Sequence, residues 1–143
     1  IKRKSMYPES LAAPMKADLT GAGFTELLTA EEVDAALAPA EGTVFLVINS
    51  VCGCAAGAAR PGVKQAVSTG SKLPGKLVTV FAGVDTAAVN KAREYTLPYP
   101  PSSPAMALFK DGKLVHFIER HQIEGNNAQT IAGHLTKVFD HFC

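Results

Sequence analysis

The chain has 143 residues, 47% of them hydrophobic, which bounds it to one domain (residues 1–143) with a core of its own. Fourteen Lys and Arg against 13 Asp and Glu leave a formal net charge of +1, which excludes partners held by bulk charge: no nucleic acid and no membrane. Three cysteines do not make a disulfide scaffold and their odd number leaves a thiol unpaired, which points to a reducing, cytoplasmic setting.

Residues 1–5 are basic but are followed by no apolar stretch of signal-peptide length; they are read as an expression remnant, with Met6 the natural start. No apolar run approaches the ~20 residues that cross a bilayer. Leu11, Met15 and Leu19, spaced by fours, predict a helix over 9–22 that stops at Gly21 and Gly23, with a short strand over 24–27 behind it. Thr29-Ala30-Glu31-Glu32 is a capping-box pattern opening a helix that runs to about Ala38, where Pro39 and Gly42 break it. TVFLVIN, 43–49, is short, β-branched and apolar throughout, as a strand covered on both faces should be.

After Ser50-Val51-Cys52-Gly53-Cys54 comes an Ala-rich helix to about Ser68, expected to kink near Pro61, which has no N–H to donate. A second apolar strand spans 77–84, and a helix over 86–95 is capped by Asp85 or Thr86. Pro98, Pro100, Pro101 and Pro104 forbid regular structure across 96–104. Strands 105–110 and 113–119 are joined through Asp111-Gly112, a hairpin turn pair. A final helix, 127–142, places Ile131, Leu135, Val138 and Phe142 on one face. The reading is an α/β fold: a βαβαββα core on a central mixed sheet with an extra N-terminal helix. Its two crossover helices imply parallel strands and its closing hairpin an antiparallel edge.

The dense chemical signal is Cys52-Gly53-Cys54, at the carboxyl end of a central strand and the start of a helix. Open α/β sheets place ligands there, and free helix N–H groups stabilise a thiolate. No Asp or Glu occurs from Gly42 through Val84, while Arg60, Lys64, Lys72 and Lys76 do, adding a local positive bias. Side chains at i and i+2 of a regular helix diverge, so a bonded pair needs Cys52 just outside the helix. The small ring closed over Gly53 would be strained and readily reduced, which favours an exchanging thiol over a permanent crosslink. Two plainer readings stand beside this one: buried small hydrophobes, and part of a soft-metal site. His116, His121, His134 and His141 show no ligand spacing with the pair, so no metal is assigned. Cys143 reads as a tail residue, with a third redox thiol as the alternative.

This order, with a cysteine pair before the first crossover helix, resembles the thioredoxin fold. NSVCGCAAGAARPGV (49–63), LVTVFAGVD (77–85), KAREY (91–95) and PPSSPAMALFKDGKLVHFIERHQIEG (100–125) are similar, more specifically, to the bacilliredoxins, bacterial thioredoxin-like proteins with a Cys-Gly-Cys motif. The resemblance implies a thiol–disulfide oxidoreductase that reduces mixed disulfides between cytosolic proteins and bacillithiol, a low-molecular-weight thiol. Cys52 would attack and Cys54 resolve. Bacillithiolated proteins and bacillithiol would be the partners, with a disulfide reductase behind them, and no cofactor is called for.

Ser103-Pro104 is similar to the X-Pro of thioredoxins, whose cis bond faces the thiols. Arg120 and His121, expected on a loop near the thiols, could meet a bacillithiol carboxylate and shuttle a proton, the alternative being a solvated or capping pair. Asn49 and Ser50 either bond within the strand end or contact the substrate backbone. Leu46 stands where thioredoxins carry a buried carboxylate, so Cys54 has no assigned proton acceptor. Competing functions are a disulfide isomerase or general disulfide reductase, and a non-enzymatic thiol sensor or metal carrier.

Overall fold

A computed structural model describes residues 6–38 and 41–143. The readings placed on residues 1–5 and Pro39 lie outside the described residues. The elements run α1 (Glu9–Thr20), β1 (Thr25–Glu26), α2 (Ala30–Leu37), β2 (Thr43–Asn49), a π-helical turn (Ala55–Ala59), α3 (Arg60–Thr69), β3 (Lys76–Phe81), α4 (Thr86–Tyr95), β4 (Ala105–Lys110), β5 (Lys113–Ile118), α5 (Arg120–Ile123) and α6 (Ala128–Phe142). One sheet takes the order β1-β3-β2-β4-β5.

β2 lies at the centre because its residues are apolar on both faces of the pleat. Phe45 and Val47 enter a core shared with α1, α3 and α6, while Val44, Leu46 and Ile48 enter one shared with α2 and α4. Burying each such large side chain contributes about 1.5–3 kcal/mol. Phe45 sits edge-to-face with Phe24 and Phe139, at centroid distances of 6.1 and 5.1 Å. The capping box of α2 is present, with the Thr29 hydroxyl accepting from the Glu32 N–H and the Glu32 carboxylate accepting from the Thr29 N–H. Asp111 and Gly112, at φ 52° and 77°, form the turn between β4 and β5.

The structure corrects several expectations. β1 and β2 both run parallel to β3, but β4 is antiparallel to β2, so α4 does not join parallel strands. The parallel crossovers are made by α2 and α3. β3 ends at Phe81, because Ala82 to Val84 form a turn with Gly83 at φ 84°. On α1, Leu11 is 44% exposed, and the inward face is Ala12, Lys16 and Leu19. The charged Lys16 displaces the apolar spacing because it is held by carboxylates. Asp85 occupies the N-cap of α4 without a side-chain capping bond, since its carboxylate is 2.8 Å from Lys16 Nζ. Where a kink near Pro61 was expected, a π turn, Ala55–Ala59, interrupts the α-helical geometry just ahead of the proline, where an ordinary turn would need a proline N–H. Finally, 120–123 is a helical turn, so Arg120 and His121 are not on an open loop.

α3 packs along α6, and the fit is close at Gly62. A Cβ there would lie 2.8 Å from Ile131 Cγ2 and 3.0 Å from the Ala128 carbonyl oxygen. This seats the helix that follows the cysteines.

Candidate active site

β2 ends at Asn49, and its last turn before the helix is built by short polar bonds. Ser50 N–H donates to Asn49 Oδ1 at 2.9 Å, and Cys52 N–H donates to Ser50 Oγ at 3.1 Å. The Cys52 carbonyl accepts from the N–H groups of Ala55 and Ala56, so Cys52 stands at the mouth of the helical turn and Cys54 lies inside it. That placement brings the two Sγ atoms to 2.7 Å with both thiols reduced and half-buried.

The two sulfurs are electrostatically unequal. Cys52 is held below the ordinary thiol range, first by the hydrogen bond from the Cys54 thiol; burial opposes this, and the N–H groups of Cys54 and Ala55 and the Arg120 charge reinforce it. Cys54 is pushed up to about 11, first by burial and then by the neighbouring Cys52 sulfur. Cys52 is therefore the sulfur that ionises first, and Cys54 keeps its proton.

Of the basic residues between Gly42 and Val84, none supplies this charge. Arg60 and Lys64 pair with Asp18, and Lys72 reaches the Asp140 carbonyl. The cation felt at both sulfurs is Arg120, 68 residues beyond Cys52 in sequence and brought in by α5. Arg120 also pairs with Glu124, and its Nη1 is 3.4 Å from the Ser103 carbonyl oxygen.

Cys52, Ser103 and Arg120 line a common cavity of about 450 Å³, and Ser103-Pro104 is cis. Pro104 itself is buried and is not part of the cavity lining. His121 does not join them: its side chain is 73% exposed, 3.9 Å from Glu119, in an adjoining groove with Ser103 and Arg120. Of the two readings of Asn49, bonding within the strand end is the one the geometry matches, since it is 2% exposed and its amide is spent on the Met15 carbonyl, Ser50 N–H and Arg60. Gly53 is exposed with open space where a Cβ would stand, so the reduced backbone does not demand glycine there. Among the described residues no three His, Cys, Asp or Glu side chains gather into a metal-holding group.

Sequence reasoning missed Arg93 and the Met6-Tyr7 wall of the cavity. Arg93 was legible in principle. It follows Val89 by four residues on the buried stripe of α4, where a charge needs a reason.

Comparison with known proteins bears on this thiol pair. The family model described as Disulphide isomerase matches residues 7–143. A bacilliredoxin of Cytophaga hutchinsonii is 67% identical over 135 residues, covering 94% of this chain and 98% of its own. The chain belongs to the bacilliredoxin family. Another bacilliredoxin, from Bacillus licheniformis, is 53% identical over 137 residues, covering 96% of this chain and 95% of its own. Among solved structures, a mutant thioredoxin of Halobacterium salinarum matches with a TM-score of 0.54 at 14% identity, over 82% of this chain and 88% of that one. Thioredoxin O2 of Arabidopsis thaliana in its oxidised state gives 0.53 at 16%, over 83% and 96%. The fold is thioredoxin-like, and as a bacilliredoxin-family member the chain is a thiol–disulfide oxidoreductase. Among the described residues no helix is long and apolar enough to cross a membrane.

Proposed function

We propose that this oxidoreductase removes bacillithiol from proteins in a reducing, cytoplasmic setting, with Cys52 as the attacking thiol and Cys54 as the resolving one. The observation that carries the reading is the inequality of two sulfurs 2.7 Å apart, the lower-pKa one opening on the cavity. The Cys52 thiolate attacks the bacillithiol sulfur of the mixed disulfide; the protein leaves as a thiolate and Cys52 carries the small thiol. Loss of the Cys52 charge then removes part of what holds the Cys54 proton. Cys54 gives up that proton to water, attacks Cys52 Sγ, and expels bacillithiol as its thiolate, leaving a Cys52–Cys54 disulfide. An external thiol or a disulfide reductase returns the pair to the dithiol. In this reading Ser103 and Arg120 border the substrate, Gly53 stands exposed between the two cysteines, and the buried Pro104 follows Ser103 in the chain. His121 borders the protein side of the groove, and Asn49 acts by shaping the loop.

A carrier protein bearing a bacillithiol mixed disulfide tests this by mass spectrometry. Cys52→Ser should remove nothing, whereas Cys54→Ser should complete one turnover and accumulate a bacillithiol adduct on Cys52. Equal single-turnover loss in both variants, or activity surviving in Cys52→Ser, overturns the assignment. The isomerase alternative draws on the description of the matching family model. It predicts faster reactivation of a scrambled disulfide protein by the wild type, with no preference for the bacillithiol adduct.

A further inference from the structure

The cavity beside Cys52 is walled by uncharged residues, among them Tyr7, Ser50, Val51 and Ser103, and by two charged ones, Arg93 and Arg120. Both are guanidinium groups; among the described residues no carboxylate lines it. They reach it from opposite directions in the sequence, Arg93 from the last turn of α4 and Arg120 from α5. Arg120 is already committed to Glu124. Arg93 is not committed. Its Nε is buried with no hydrogen-bond partner among the described residues, and burial, unopposed by any acidic neighbour, pulls its pKa down. A half-buried cation left unpaired costs stability, and its five-donor fork suits a carboxylate in two-point contact. Glu119 and Glu124 line an adjoining groove that Arg93, Ser103 and Arg120 also border, but neither lines the cavity beside Cys52 and neither is a hydrogen-bond partner of Arg93 among the described residues.

We propose that Arg93, assisted by Arg120, forms a carboxylate-binding subsite for the small-thiol half of the disulfide that Cys52 attacks. The cavity volume, about 450 Å³, suits a small molecule and not a protein surface. This rests on the reading that Cys52 takes over the small thiol, and it adds what that thiol must carry: at least one carboxylate that can reach Arg93 while its sulfur meets Cys52. Binding there would place the small thiol's sulfur, in preference to the protein's, in line with Cys52, and so set which partner is released first.

The test uses 2-thiopyridyl disulfides of mercaptosuccinate, 2-mercaptoethanol and cysteamine, which carry two negative charges, none and one positive charge. The Cys52 thiolate attacks the alkyl sulfur, forming the Cys52 mixed disulfide and expelling pyridine-2-thiolate, whose absorbance gives the rate. A Cys54→Ser, Cys143→Ser background confines the reaction to Cys52, and mass spectrometry identifies the adduct. Rates are divided by those of N-acetylcysteine to remove intrinsic reactivity. The expected preference for mercaptosuccinate over 2-mercaptoethanol is about tenfold or more, the scale of a charge-assisted two-point contact. Arg93→Gln should cut that ratio at least about threefold and Arg93→Lys should keep part of it, because lysine retains the charge but not the fork. A ratio near one in the parent, or a ratio that Arg93→Gln and Arg93→Lys both leave unchanged, overturns the subsite. The first of these outcomes leaves the Cys52 reading standing, since adducts still form. Absence of any Cys52 adduct from all three disulfides would instead overturn the proposed function and the subsite with it.

Discussion

Arg60 and Asn49 meet side chain to side chain, Nη1 to Oδ1 at 3.0 Å, so the last residue of β2 is tied to the first residue of α3. Both cysteines lie between them. The same Nη1 donates to the Ser50 carbonyl at 2.8 Å, Nε donates to Asp18 on α1 at 3.2 Å, and Asn49 Nδ2 donates to the Met15 carbonyl on α1 at 3.1 Å. One buried guanidinium, 4% exposed, thus closes the segment that bears Cys52 and Cys54 and fastens it to a third element.

Arg60→Met should therefore lower stability by about 1–3 kcal/mol, the cost of leaving buried oxygens without donors, read as a fall in the urea midpoint. The same variant should leave the Cys52 thiol pKa near its parent value, since Arg60 does not set it. Arg120→Gln should do the reverse, leaving the midpoint in place and raising the Cys52 pKa. Identical effects from both substitutions would refute this division of labour.

The pH dependence of Cys52 follows from what lowers its pKa, the Cys54 thiol foremost. Iodoacetamide alkylation should lose about a factor of ten per pH unit below the Cys52 pKa, because only the thiolate reacts. The midpoint should lie lowest in the parent and higher in Cys54→Ser, whose hydroxyl still donates. It should be highest in Cys54→Ala, which cannot donate. Cys54 stays a thiol until the pH approaches about 11, so it should not contribute a second wave at neutral pH.

The elements closest to expectation, β2, α4 and the Asp111-Gly112 turn, are those where one local rule dominates: a doubly apolar strand, a helix bounded at both ends, a turn needing positive φ. The direction of β4 was not legible. An antiparallel connection through a proline-rich segment looks, in sequence, like a parallel crossover, and only pairing with β2 decides it. The cysteine pair was legible because Gly and two thiols at a strand-to-helix junction are chemically conspicuous. Its cation was legible only through the resemblance, which put Arg120 near the thiols; local charge pattern pointed instead to basic residues that are turned to Asp18 and Asp140. On α1 the apolar spacing misled for a related reason: Lys16 points inward, and a buried lysine becomes intelligible only when its carboxylates arrive from β1 and α4.

Gly62→Ala should destabilise the fold although alanine is the better helix former. The helix preference gains about 1 kcal/mol, whereas overpacking against Ile131 and the Ala128 carbonyl costs about 1–3 kcal/mol. Crowding wins because one of the contacts is backbone and cannot rotate away. In a double-mutant cycle, Ile131→Ala should offset part of the loss, giving a favourable coupling between the two changes in thermal unfolding. Additive losses would show that the helix contact is not what limits this position.

Lys16 provides the last prediction. Its ammonium, in a residue 8% exposed, lies 2.8 Å from Asp85 and 3.0 Å from Glu26, with Glu9 at 3.7 Å. It joins α1 to the edge strand and to the start of α4. Burial alone would lower its pKa, but the hydrogen bonds and charges of Asp85 and Glu26 outweigh that and raise it above 10.5. Lys16→Met keeps the bulk of the side chain and leaves Asp85, 15% exposed at its side chain, facing no cation, so a loss of about 3 kcal/mol is expected. Because the folded pKa is the higher one, the contribution is full below the unfolded pKa and is lost as pH rises through the folded pKa. Urea unfolding of parent and variant should show a constant gap from about pH 7 to about pH 9 and a narrowing gap by about pH 11. A gap that stays constant to the highest pH at which both proteins fold would mean that Lys16 acts through packing of its methylenes and not through its charge.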